Sequence, residues 1–254
     1  MQLHFWRHAT FVLSIGSLKL LVDPMLSPAG AMNPVGNAAN DRRIPLVDLP
    51  FPESVLHENL NKLDAVLVTH LHRDHWDAAA VEWIPRTLPV FCQPGDETTI
   101  ASSGFTSVTP VVADIAWRGL HLTRTGGHHG TGELAAQMGN VSGFILQSTG
   151  EPLLYIAGDT VWCAEVEAVL NNFRPHRVIL NTGEARFLTG DPITMGVEDV
   201  VQVCRAAPQA RVIAVHMETI NHCLLTRVAL RDQLQQRGFL DQVAIPADGE
   251  LVTL

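Results

Sequence analysis

Charge is scarce in this chain of 254 residues: only 17% of its positions are Asp, Glu, Lys or Arg. The balance is acidic, 26 Asp and Glu against 17 Lys and Arg, for a formal net charge of −9. Such a chain lacks the broad basic face that neutralises phosphates, which argues against nucleic acid and against an anionic membrane surface as partners. Cysteine is sparse as well. The four, at 92, 163, 204 and 223, form no CxxC pair and no disulfide-dense pattern, so they read as small buried hydrophobes in a reducing compartment. The apolar stretch from Phe11 to Val22 is too short to span a bilayer, is interrupted by Lys19, follows no basic segment and ends at Asp23-Pro24. A cytoplasmic location is therefore expected. Repeats, low-complexity tracts and linkers are missing too, which predicts one domain over residues 1–254.

What is present is enough apolar residue, 46% of the chain, to fill a large single core. The pattern alternates between short strands and helices. Strands are expected over 2–6, 10–15 and 17–22, then a long Pro-, Gly- and Asn-rich loop over 23–52. Loops of that length are usually functional or mobile. Further strands are expected over 63–69, 88–92, 107–112, 120–123, 143–147, 153–156, 178–181, 211–215 and 242–245, with helices over 77–84, 96–102, 162–171, 196–206 and 226–237. Two β-rich starts, each followed by an α/β stretch, predict a layered α/β architecture.

The densest chemistry lies in Thr69-His70-Leu71-His72-Arg73-Asp74-His75, directly after the buried-strand pattern that ends at Thr69. His70 and His72 are two apart and lean to one side of an extended segment; Asp74 and His75 follow as the chain turns. In open α/β folds the crevice beyond the strand ends is where ligands bind, so three imidazoles and a carboxylate there point to a metal centre, with room for two ions. Other candidate donors stand at similar places: His128-His129 after the turn Thr125-Gly126-Gly127, Asp159 after the apolar run 153–157, and His216 after 212–215.

Together these residues resemble the signature of the metallo-β-lactamase-fold superfamily. The start, Arg7-His8-Ala9-Thr10-Phe11 and then Leu21-Val22-Asp23-Pro24, is similar to the branch containing L-ascorbate-6-phosphate lactonase and N-acylphosphatidylethanolamine-hydrolysing phospholipase D, with Arg7 standing where members commonly have glycine. The resemblance implies an αβ/βα four-layer sandwich: two mixed β-sheets face to face, helices outside, and the metal site at one edge. It implies that His70, His72 and His129 hold one metal, that Asp74, His75 and His216 hold a second, and that Asp159 bridges them. His129 is preferred to His128 because His129-Gly130 fits the family pattern better, which leaves His128 a supporting role. The implied cofactors are two divalent ions; a nitrogen and oxygen donor set without thiolate suits zinc, with manganese or iron as alternatives. Two ions sharing a carboxylate and a water lower the pKa of that water to about 7, which favours hydrolysis.

Asp74 is the candidate catalytic carboxylate, placed to orient the nucleophile or carry its proton. Asp23 is the candidate to fix an imidazole from behind. His8, Asn181 and His222 are candidate substrate contacts, and Trp76 a candidate pocket wall, whereas His57, His121 and His176 sit in ordinary contexts. The expected substrate is a small molecule with an ester, lactone, amide or phosphodiester bond, and a homo-oligomer fits the family habit. The alternatives are an iron-dependent oxidoreductase of the same fold, persulfide dioxygenase-like, and a non-catalytic metal-dependent binding protein. The full set of seven candidate ligands favours the hydrolase over both.

Overall fold

The computed structural model describes residues 1–254. Two seven-stranded sheets lie face to face. The first holds β1 (Gln2–Arg7), β2 (Thr10–Ile15), β3 (Leu18–Val22), β4 (Ala65–Val68), β5 (Val90–Cys92) and β6 (Val108–Pro110) in that order. The second holds β7 (Asp114–Trp117), β8 (Leu120–Thr125), β9 (Gly143–Ser148), β10 (Leu154–Ile156), β11 (Arg177–Asn181), β12 (Arg211–Val215) and β13 (Val243–Ala244). The chain then returns to the first sheet, where β14 (Leu251–Thr253) pairs antiparallel with β1.

The period-2 alternation of the buried strands sorts their side chains into three apolar layers. In β4, Ala65 and Leu67 face the second sheet, while Val66 and Val68 face helices. In β11, Ile179 faces the first sheet, while Val178 and Leu180 turn to the opposite side. Each fully buried aliphatic side chain of this kind contributes about 1.5–3 kcal/mol.

The outer face of the first sheet is covered by α1 (Glu53–Leu60), α2 (Ala78–Trp83) and α3 (Glu97–Ser102), which place Leu56, Leu60, Ala80 and Ile100 against it. The second is covered by α5 (Ala164–Phe173), α6 (Val197–Ala206) and α7 (Arg227–Arg237), a shorter helix α4 (Gly132–Met138) lying between β8 and β9 in the chain. Local chemistry sets the ends of these helices. Asp77 caps α2 by accepting from Ala80 N at 2.7 Å, and the helix stops at Ile84, before Pro85. Thr226 caps α7, which ends at Gly238 in the left-handed conformation. No helix is long and apolar enough to cross a membrane.

The sandwich expected from the resemblance is the one found. The stretch 23–52 is a loop, as expected, but one held by its own hydrogen bonds: Met32 and Ile44 pair as an isolated bridge, and Gly30 N donates to Pro45 O at 2.8 Å. Four elements were not anticipated: α1, β7, α4 and β14. The cysteines also depart from expectation, since Cys92 and Cys204 are buried but Cys163 and Cys223 are only partly so.

Candidate metal centre

Strands β3, β4, β10, β11 and β12 end on the same edge of the sandwich, and the loops that leave them carry the polar cluster. After β4, His75 N and Trp76 N both donate to His72 O, at 2.8 and 2.9 Å, so the chain turns tightly and gathers four candidate donors within one loop. Donor atoms of His70, His72 and His129 lie within 4.8 Å of one another, as do those of His8, Asp74, His75 and His216. Asp159 stands between the groups. Its Oδ2 is 3.5 Å from His129 Nε2, 4.0 Å from His70 Nε2 and 3.3 Å from His75 Nε2, while its Oδ1 is 3.3 Å from His216 Nε2.

The imidazoles are fixed from behind, which leaves their Nε2 atoms facing inward. His129 Nδ1 donates to Ile193 O at 2.7 Å. His75 Nδ1 donates to Asp23 Oδ2 at 2.8 Å, and Asp23 is itself held by the Thr69 amide and hydroxyl, each at 2.7 Å. Because the Thr69 hydroxyl proton goes to Asp23, its oxygen accepts from His70 Nδ1 at 3.0 Å. His70 Nε2 is thereby left as a bare lone pair, buried and without a hydrogen-bond partner, facing the Asp159 carboxylate. Two acceptors opposed at that distance are suited to a cation between them. The donor set fits a metal on this ground, and its nitrogen and oxygen composition suits zinc, manganese or iron.

Electrostatics agree with that geometry. Burial and then neighbouring His75 push the His70 pKa well below its usual value; burial also lowers that of His129. Both therefore stay neutral imidazoles, the form that can ligate a metal. His75 runs the other way: against the cost of burial, the carboxylates of Asp159, Asp23 and Asp74 hold its pKa well above the imidazole norm. Asp159 and Asp74, although buried, are held well below the carboxylate range by the surrounding imidazoles, chiefly His216 and His75 for Asp159 and His75 and His8 for Asp74. Backbone strain gathers here too. His8, Asp23, His216 and Glu218 all have φ between 42° and 72°, a conformation that non-glycine residues hold only when the surroundings enforce it.

A cavity of about 210 Å³ opens over the cluster, with Val35, Met138, Phe187 and Ile193 as apolar wall and Asp74 and His222 among its polar lining. Val35 is kept in place by Asn221, whose side chain accepts from Val35 N at 2.8 Å and donates to Val35 O and Asn40 O. Both ends of the same loop are held by Arg7. Its fully buried guanidinium donates to Val47 O at 2.7 Å, Met25 O at 2.9 Å and Ser27 O at 2.5 Å, and burial lowers its pKa to about 10, so it stays charged at neutral pH.

The structure redistributes the three residues expected to contact substrate. His222 lines the cavity. His8 does not: the positive-φ turn between β1 and β2 buries it completely, with Nε2 3.0 Å from Asp74 Oδ2 and its ring 3.6 Å from that of His216. Asn181 does not either, because it shares the inward side of β11 with Ile179 and donates to Asp159 Oδ1 at 2.6 Å. Trp76 is buried against Phe105 rather than standing in the cavity wall. His128 points away from the cluster and meets Glu165.

A family profile described as a β-lactamase superfamily domain matches residues 19–217. The chain belongs to the β-lactamase superfamily. The UPF0173 protein YddR of Bacillus subtilis (strain 168), also similar, is 37% identical over 250 residues, which cover 97% of each chain. Among solved structures, a possible metal-dependent hydrolase from Veillonella parvula DSM 2008 superposes with a TM-score of 0.96 at 38% identity, over 100% of this chain and 99% of that one. An isothiocyanate hydrolase from Delia radicum gut bacteria superposes with a TM-score of 0.94, also at 38% identity and over the same shares. This β-lactamase-superfamily chain is a metal-dependent hydrolase.

Three contributors stand outside the set of candidate ligands. Thr69 sets the His70 tautomer, and its only signal was its place beside the cluster. Asn221, lying between His216 and His222, pins the cavity loop. Ile193 acts through its carbonyl, and a backbone atom has no signature in side-chain identity.

Proposed function

We propose that the chain is a dinuclear metallohydrolase that adds water to the central carbon of small isothiocyanates. The observation that carries the two-ion reading is Asp159, whose carboxylate lies within 4.0 Å of imidazoles of both groups, His70 and His129 in one and His75 and His216 in the other, while His70 Nε2 faces it without a hydrogen-bond partner. On this reading His70, His72 and His129 hold one ion, Asp74, His75 and His216 the other, and Asp159 both, with zinc ahead of manganese or iron. Divalent ions in such a site supply Lewis acidity and bring the pKa of a water down to about 7.

The substrate class is supported by the full-length likeness to an isothiocyanate hydrolase and by the cavity. At about 210 Å³ it is smaller than the roughly 300–1,000 Å³ usual for drug-sized ligands. Arg73, the one basic side chain other than histidine in its lining, donates to Pro34 O at 3.0 Å instead of forming a phosphate clamp. A small neutral molecule with an apolar substituent suits Val35, Phe187 and Ile193. Asp74, held by His8, orients the attacking water and takes its proton. His222 lines the cavity, and burial lowers its pKa to about 4, so it presents a neutral imidazole to the heterocumulene. The balance is R–N=C=S + H2O → R–NH2 + COS: oxygen bonds to carbon, both protons reach nitrogen, and the C–N bond breaks.

The test is turnover of benzyl isothiocyanate beside a lactone, an aryl ester and a bis-aryl phosphate, before and after chelation. The expected result is chelator-sensitive release of amine from the isothiocyanate, with kcat/KM at least ~100-fold above the other three, a difference of about 2.7 kcal/mol in transition-state binding. Turnover of the lactone or phosphodiester with the isothiocyanate untouched would overturn the substrate assignment.

A further inference from the structure

His128 sits one residue from His129 yet belongs to another cluster. Its amide donates to Thr160 Oγ1 at 2.8 Å and its carbonyl accepts from Val161 N at 2.9 Å, so the loop after β8 is sewn to the loop after β10. Gly127 permits the close approach: a Cβ there would stand 2.9 Å from the Thr160 side chain. This seam brings His128 Nε2 to 3.0 Å from Glu165 Oε1, with Cys163 Sγ and both of these atoms mutually within 4.8 Å. Glu165 Oε2 is inaccessible to solvent and has no hydrogen-bond partner. Beside the cluster lies a polar cavity of about 530 Å³, whose lining includes His128, Glu165, Arg124, Gln93 and Asn140.

We propose that His128, Cys163 and Glu165 form a separate site for one thiophilic divalent cation, zinc by its chemistry, that clamps together the loops delivering His129 and Asp159. Imidazole, thiolate and carboxylate are the three ligand types zinc takes, at about 2.0–2.3 Å, and three protein ligands leave a fourth position for water or an incoming donor. His128 and Glu165 both line the cavity, from which a fourth donor can approach. Binding releases the Cys163 proton to solvent and adds a cross-link between residues 128 and 163–165. The site uses none of the residues assigned to the catalytic ions and stands or falls independently of the isothiocyanate reading.

The readout is thiolate ligation, which the nitrogen and oxygen donors of the main centre do not give. Zinc-replete protein is titrated with Cd2+ while the ultraviolet thiolate-to-cadmium charge-transfer band is followed, in wild type and in Cys163→Ser, Cys223→Ser, His128→Ala and Glu165→Gln. The expected result is a band saturating at one equivalent, abolished in Cys163→Ser and kept in Cys223→Ser. Cadmium affinity should also fall at least ~10-fold in His128→Ala and in Glu165→Gln. Absence of the band, its survival in Cys163→Ser, or unchanged affinity in both His128→Ala and Glu165→Gln would overturn the proposal. Asp159→Ala should keep the band while changing the main centre, so the two sites fail separately.

Discussion

In both sheets three antiparallel pairings are followed by three parallel ones, running from β14 to β6 in the first and from β7 to β13 in the second. Yet the parallel part of the first sheet sends His70, His72, Asp74 and His75 from one loop, whereas the second sheet sends His129, Asp159 and His216 from three. A single loop concentrates donors cheaply in sequence but covers only one side of an ion. Closing the coordination sphere takes groups from the facing sheet, so the centre assembles only when both halves are packed. A metal bound across the seam would stabilise the native state by mass action as well as supplying chemistry.

The largest test of this division is Asp159→Ala. Because its carboxylate faces imidazoles from both sheets, its loss should release at least one ion per chain by elemental analysis and lower kcat/KM by roughly 10³-fold or more, about 4 kcal/mol. Asp23 and Asn181 are counterparts, one behind the first-sheet donors and one behind Asp159. Asp23→Ala and Asn181→Ala should each weaken metal affinity by about 10–100-fold in competition with a chromophoric chelator, with Asp23 acting through His75 and Asn181 through Asp159. Equal loss of both ions in both variants would break the comparison.

A smaller effect concerns pH. His222 has its pKa lowered to about 4 in the fold, mainly by burial, against about 6.5 when unfolded. Between those values the unfolded chain binds a proton that the folded chain refuses, so this group's contribution to stability is lost as pH falls from about 6.5 towards 4. Urea midpoints at pH 7 and pH 5 should therefore move closer together in His222→Gln than in wild type. At the bottom of the scale, His57→Ala removes an i,i+4 contact with Glu53 and an edge-on contact with Trp83, neither involving a candidate ligand, and should leave metal content and turnover unchanged.

The same asymmetry governs what could be read from the chain. His70, His72, Asp74 and His75 announce themselves because they crowd into six positions, and Asp23 was readable from its place at the end of a strand. His129, Asp159 and His216 are bland one at a time and gained meaning from their places after strands and turns beside the first cluster, with their division between two ions coming from the family pattern. Asn181 was legible as a polar residue at a strand end facing the centre, but its parity with Ile179 in β11, which turns it onto Asp159, is a detail of register. Helix α4 escaped notice because none of its residues is buried, so it leaves no apolar stripe. Strand β14 escaped because Leu251-Val252-Thr253 is short and its partner, β1, is at the other end of the chain.

Arg7 gives the architecture a further meaning. Its guanidinium holds Met25, Ser27 and Val47, and Asn221 holds Val35 and Asn40, so the long loop over the cavity is fastened at its base and middle by groups that are not candidate ligands. Between those anchors its residues carry no coordination duty. A lineage can therefore rewrite Val35 and its neighbours, and with them which molecules are admitted, while the donors below remain untouched: selectivity and chemistry are inherited as separable parts.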